Sequence, residues 1–104
     1  MTDYKKYNVI ISKRAGSMLQ SHARFLAQVS EQAANDFIAE FQESVQSLEV
    51  MPKRNPYLND MTLPQNKYHK LVIKKRYLVI YQIKQDIVYV DYVVDCRQDY
   101  SWLL

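Results

Sequence analysis

The sequence predicts an α+β fold: an N-terminal strand and an antiparallel two-helix hairpin, followed by a three-stranded antiparallel meander. Three observations carry this prediction. Val, Ile and Tyr dominate the runs Tyr68–Ile83 and Ile87–Tyr100, which break at Lys74-Lys75-Arg76 and at Lys84-Gln85-Asp86, the pattern of strands joined by short turns. Between Ala15 and Leu48 the apolar residues instead recur every three or four positions, which is the helical period. Pro52, Pro56 and Pro64 stand between the two regimes and mark a loop from Met51 to Asn66.

Taken in order, Tyr7-Asn8-Val9-Ile10-Ile11 is a short apolar strand, edge or central, that ends at Ser12, a candidate helix cap. Ala15, Met18, Leu19, His22, Leu26 and Val29 then form the apolar stripe of a helix of about four turns. Ser30 caps a second helix whose stripe is Ala34, Phe37, Ile38, Phe41, Val45 and Leu48, with Glu31, Asp36, Glu40 and Glu43 exposed. With almost no linker, the helices fold back on each other. In the first meander strand Tyr68, Lys70, Val72 and Lys74 point one way, and His69, Leu71 and Ile73 point towards the helices. The lysine-bearing side is then a concave, partly apolar open face, and His69 is a histidine at the core margin.

The 104 residues form one expected domain, 1–104, and a chain of this size buries roughly 65% of its unfolded surface. No apolar run approaches the roughly 18 to 20 residues of a membrane span, and Met1–Lys6 lacks the apolar core of a signal peptide. No membrane association and a cytoplasmic location are therefore expected. Cys96 is the only cysteine, which excludes an internal disulfide and a cysteine-based metal site and leaves a small buried thiol as the expectation. One glycine, Gly16, and two histidines, His22 and His69, give neither a phosphate-cradling loop nor zinc-ligand spacing. No metal and no cofactor are expected.

What remains is cationic and aromatic. The net charge is +3, a mild bias towards acidic partners or nucleic acid. Lys70, Lys74, Lys75 and Arg76 gather near the first meander turn, and Arg97 with Tyr100 follows the last strand. An arginine held at a strand end suits a forked pair of hydrogen bonds to phosphate, with Tyr100 to stack on a base. The alternative for Arg97 is a salt bridge to Asp95, Asp99 or a helix carboxylate. The loop that carries Lys53 and Arg54 is long for a compact domain, and such loops are often functional; the alternative reading of the two residues is as solvated loop charges.

The order of elements, with Tyr68-x-Lys70-Leu71, Tyr77-Leu78-Val79-Ile80-Tyr81-Gln82-Ile83 and Asp95-Cys96-Arg97-Gln98-Asp99-Tyr100, resembles the RelE/ParE superfamily of bacterial toxins from type II toxin-antitoxin modules. The likeness spans nearly the whole chain. It implies a RelE-like fold and one of two targets, since RelE-like members cleave messenger RNA in the ribosome and ParE-like members poison DNA gyrase without catalysis. For RNA cleavage the resemblance implies catalytic roles for Arg97, Tyr100 and Lys70, with Lys74, Lys75, Arg76 and His69 binding RNA. Arg97 would offset charge on the phosphate. Lys70 or Tyr100 would handle the ribose hydroxyl, although ordinary values of about 10.4 and 10 make either a poor base at neutral pH. Val72 and Leu78 stand where RNA-cleaving members carry a lysine and an arginine, and Lys74 lies one step further along the same face. The expectation is thus a ribosome-dependent ribonuclease toxin, with gyrase poisoning as the alternative and an antitoxin-binding remnant as a third reading. An acidic antitoxin would cover the face around Lys70, Arg97 and Tyr100.

Overall fold

The computed structural model describes residues 6–59 and 63–96. Strand β1 (Asn8–Ile11) leads into helices α1 (Lys13–Val29) and α2 (Glu31–Leu48), then a single 3₁₀ turn at Pro52–Arg54. The meander follows as β2 (His69–Ile73), β3 (Tyr77–Lys84) and β4 (Ile87–Asp95). These strands form one sheet in the order β1-β4-β3-β2. Pairing is antiparallel within the meander, and β1 adds to β4 in parallel as an edge strand.

Both predicted caps are present. Ser12 Oγ accepts a hydrogen bond from the Ala15 amide at 3.0 Å and Ser30 Oγ from the Ala33 amide at 3.2 Å, each worth about 1 kcal/mol against alanine. The Ser30 amide also donates to the Leu26 carbonyl, so one residue closes α1 and opens α2. Val29, the last residue of α1, departs from the expected stripe and is 82% exposed, because the helix breaks there before any element covers it.

Strand β1 pairs with β4 only as far as Ile11 opposite Val90. At that point β4 carries a β-bulge: Ile80 faces Tyr92 and Tyr81 faces Val90, which leaves Asp91 as the extra residue. The bulge re-phases β4, so that Val88, Val90 and Val93 share the helix side while Tyr92 and Val94 take the other. Beyond the bulge α1 covers the carbonyls that β1 no longer reaches. The Ser12 amide donates to Val90 O at 3.0 Å, Ser12 Oγ and Arg14 Nε donate to Asp91 O, and His22 Nε2 lies 2.9 Å from Val93 O. A carbonyl only accepts, so His22 carries its proton on Nε2. His22 therefore serves the sheet edge as well as the apolar stripe.

The main core lies between helices and sheet. Phe37, Phe41 and Leu48 of α2 pack with Ile73, Tyr77, Val79, Tyr81, Val88, Val90 and Val93, and Leu71 lies at the margin. The predicted inward direction of Leu71 and Ile73 is thus the observed one. The opposite face is less open than expected. Leu58 and Leu63, both from the proline-containing segment, cluster with Tyr68, Leu78, Ile80, Tyr92 and Val94. That segment is therefore a second cover for the sheet in addition to a surface loop, and Leu58 and Leu63 are only 3% and 6% exposed. Proline also permits more regularity there than expected, since Pro52 opens the 3₁₀ turn, where its missing amide costs nothing. Cys96 is exposed rather than buried, because it lies in a turn just past the end of β4. Among the described residues, no helix is long and apolar enough to cross a membrane.

Candidate functional site

Three of the four cations predicted to gather near the first meander turn, Lys74, Lys75 and Arg76, form one structural unit, and Lys70 lies apart on β2. Lys74, Lys75 and Arg76 join β2 to β3, and Lys74 and Lys75 both adopt left-handed backbone, φ 53° and 54°. Arg76 closes the turn by donating its amide to Ile73 O at 3.1 Å. Two successive left-handed residues match the right-handed twist of a hairpin, a position that usually selects Asn-Gly. Lysines there cost about 1 to 2 kcal/mol each. The turn is held by Glu40 of α2, whose Oε2 accepts the Lys74 amide at 2.7 Å and whose Oε1 lies 4.0 Å from Lys74 Nζ.

Arg76 is committed on two sides. Its Nε lies 3.0 Å from Oδ2 of the buried Asp95, and its carbonyl accepts the Cys96 amide at 2.7 Å. Asp95, one of the carboxylates the sequence offered to Arg97, is engaged by Arg76. Arg97 and Tyr100 lie outside the described residues, as does everything after Cys96.

Lys70 is half-buried on β2, opposite Ile80, and its amide donates to Pro56 O at 3.0 Å. Its neighbours on that face are Val72, 53% exposed, and Leu78, which is paired with Val72 and buried. Among the described residues, the surroundings of Lys70 are therefore chiefly apolar.

His69 points the other way and lies at the opposite end of the sheet from the lysine turn. It is buried, and its ring lies between those of Tyr57 (centroids 4.3 Å apart) and Tyr81 (5.3 Å, 12° between planes). Nδ1 lies 2.8 Å from Asn55 O and so donates to it. This is the core-margin histidine expected from the alternation. Tyr81 beneath it donates its hydroxyl to Pro52 O at 2.5 Å and accepts from Asn55 Nδ2 at 3.0 Å. Burial pushes the Tyr81 hydroxyl above its ordinary value, against the opposing pull of the Asn55 hydrogen bond and the Arg54 charge.

A second cationic group escaped the sequence reading. Lys53, Arg54 and Lys67 line a cleft of about 660 Å³ with Tyr57, His69 and Gln85 among its other walls. The signal was present in Lys53-Arg54 and Lys67, but 12 intervening residues separate Arg54 from Lys67. Only the pairing of the proline segment with β2 brings them together: Tyr57 bridges His69, and the Leu58 amide donates to Tyr68 O at 2.7 Å.

The ParE toxin family, of the type II toxin-antitoxin system parDE, matches residues 9–100. The chain belongs to this family. A solved structure described as the chromosomal ParDE toxin-antitoxin system from P. aeruginosa superposes with a TM-score of 0.70 at 10% identity, over 88% of this chain and 97% of that one. At that identity the likeness speaks for the fold. No curated protein matches the sequence.

Proposed function

We propose that this toxin arrests growth by binding and poisoning DNA gyrase, and that an acidic antitoxin made beside it holds it in check. The observation that carries the reading is the match to the ParE family over residues 9–100. The described site agrees with it. Ribonuclease action would need several cations converging on the phosphate. Yet Val72 and buried Leu78 replace two of them, Arg76 is engaged with Asp95, and Lys70 has apolar neighbours. The expectation of ribosome-dependent cleavage is accordingly the weaker reading, and Lys70, Arg97 and Tyr100 remain its proposed catalytic residues. The antitoxin is proposed to engage the face around Lys70, helped by charge complementarity with the +3 chain.

The test is a supercoiling assay with purified gyrase, relaxed plasmid and the toxin. Gyrase poisoning predicts lost supercoiling and accumulation of cleaved plasmid, both reversed by the antitoxin. Unimpaired supercoiling, together with messenger RNA cut in a ribosome-containing translation reaction, would replace this reading by the ribonuclease one.

A further inference from the structure

The cleft lined by Lys53, Arg54 and Lys67 has no role in the reading above. Three features make it more than a patch of solvated charge. First, among the described residues none of its cations is in an ion pair, and no carboxylate lines it. Positive potential therefore persists at the cleft instead of being cancelled locally. Second, its aromatic wall is preorganised. Tyr57 is fixed by its bridge to His69, one ring face lies against the His69 ring, and the residue is still 47% exposed. His69 spends Nδ1 on Asn55 O, and no described residue engages its Nε2. Third, the rim is braced. Asn59 and Asn66 exchange two hydrogen bonds, Asn66 N to Asn59 Oδ1 at 2.8 Å and Asn59 Nδ2 to Asn66 Oδ1 at 3.1 Å, which fix the chain immediately before Lys67.

We propose that this cleft binds a single nucleic acid strand, with Arg54, Lys53 and Lys67 on successive phosphates and an unpaired base stacked on Tyr57. Cations tracking a backbone beside an exposed aromatic ring are the two components of sequence-tolerant single-strand binding. An acidic peptide would use the charge and leave the ring idle, so the aromatic wall favours a nucleic acid strand. The cleft lies at the far end of the sheet from Lys74 and Lys75. The proposal is independent of the gyrase reading, because it concerns direct binding by the toxin alone.

The experiment is a fluorescence anisotropy titration of the purified chain with labelled dT12 and, separately, labelled rU12 at low salt. The double variant Arg54→Glu/Lys67→Glu is compared with the charge-matched control Lys13→Glu/Arg24→Glu on α1. Arg54→Gln/Lys67→Gln serves in its place if the charge reversal fails to fold. The expected result is binding weakened by about tenfold or more in the cleft variant and far less in the control. Replacing the two cleft cations should also lower the slope of log affinity against log salt by about 1.4. Tyr57→Ala should weaken binding by about fivefold or more while Tyr57→Phe retains it, because stacking needs the ring and not the hydroxyl. Comparison of dT12 with rU12 identifies which type of strand is preferred. No binding at low salt, equal losses in cleft and control variants, or full affinity in Tyr57→Ala would each overturn the proposal. So would displacement of the oligonucleotide by poly-glutamate at equal charge, with the same dependence on Arg54 and Lys67, because the cleft would then be an acidic-peptide site.

Discussion

At one end of the sheet Lys74 and Arg76 each face a carboxylate, Glu40 and Asp95. At the other end Lys53, Arg54 and Lys67 face none among the described residues. The first group is compact in sequence and was the obvious candidate for recognition. The second is dispersed in sequence, and only the fold brings Lys67 to Lys53 and Arg54. A run of cations in a hairpin turn can thus serve architecture: Glu40 ties a strained turn to α2, and Asp95 ties the end of β4 to the start of β3.

Five substitutions test this contrast, in order of expected effect. Arg76→Ala removes a charged hydrogen bond to the buried Asp95 and should cost about 1.5 to 3 kcal/mol in a denaturant unfolding series. A cost below 0.5 kcal/mol would return Arg76 to the pool of cations available for recognition. Tyr81→Phe should cost about 0.5 to 1.5 kcal/mol, since it leaves Pro52 O and Asn55 Nδ2 without the hydroxyl. It should also change the alkaline limb. The fold favours the neutral hydroxyl, whose value is raised by burial. Its contribution is therefore fully present below about pH 10 and is lost as pH rises through the folded value. Thermal melts above pH 10 should fall more steeply for the wild type than for Tyr81→Phe.

Glu40→Ala should destabilise less, by about 0.5 to 1.5 kcal/mol. The exposed ion pair adds little, and the hydrogen bond to the Lys74 amide supplies most of the effect. Lys75→Gly should rescue part of the loss by relieving left-handed strain at that position. Lys67→Ala, at the opposite end, should change the melting temperature hardly at all, within about 0.5 kcal/mol of wild type. A larger loss would mean that this charge, too, is structural.

Much of the fold was legible in residue order. Ser12 and Ser30 announced both helices, and the alternation through Leu71 and Ile73 gave the inward face of β2. What escaped had physical causes. Period-two counting cannot place a bulge, so the switch at Asp91, which puts Val90 and Val93 on one side, was invisible until pairing fixed it. Proline spacing indicated a loop without revealing that Leu58 and Leu63 would fold onto the sheet. The candidate site was legible only in part. Lys70 and the Lys74–Arg76 turn stand out as cationic in the sequence, but the pairing of Lys74 with Glu40 and of Arg76 with Asp95 depends on contacts 34 and 19 residues apart. Resemblance to a superfamily with two targets also could not choose between them on side chains such as Lys70 and Leu78 alone.

Pulse labelling after induction of the toxin in cells distinguishes the proposed gyrase target from translation. Thymidine and methionine incorporation are followed separately in the first minutes, with the antitoxin withheld. Gyrase poisoning predicts that DNA synthesis falls first while protein synthesis continues. An immediate fall in methionine incorporation with thymidine incorporation intact would contradict it and identify translation as the target.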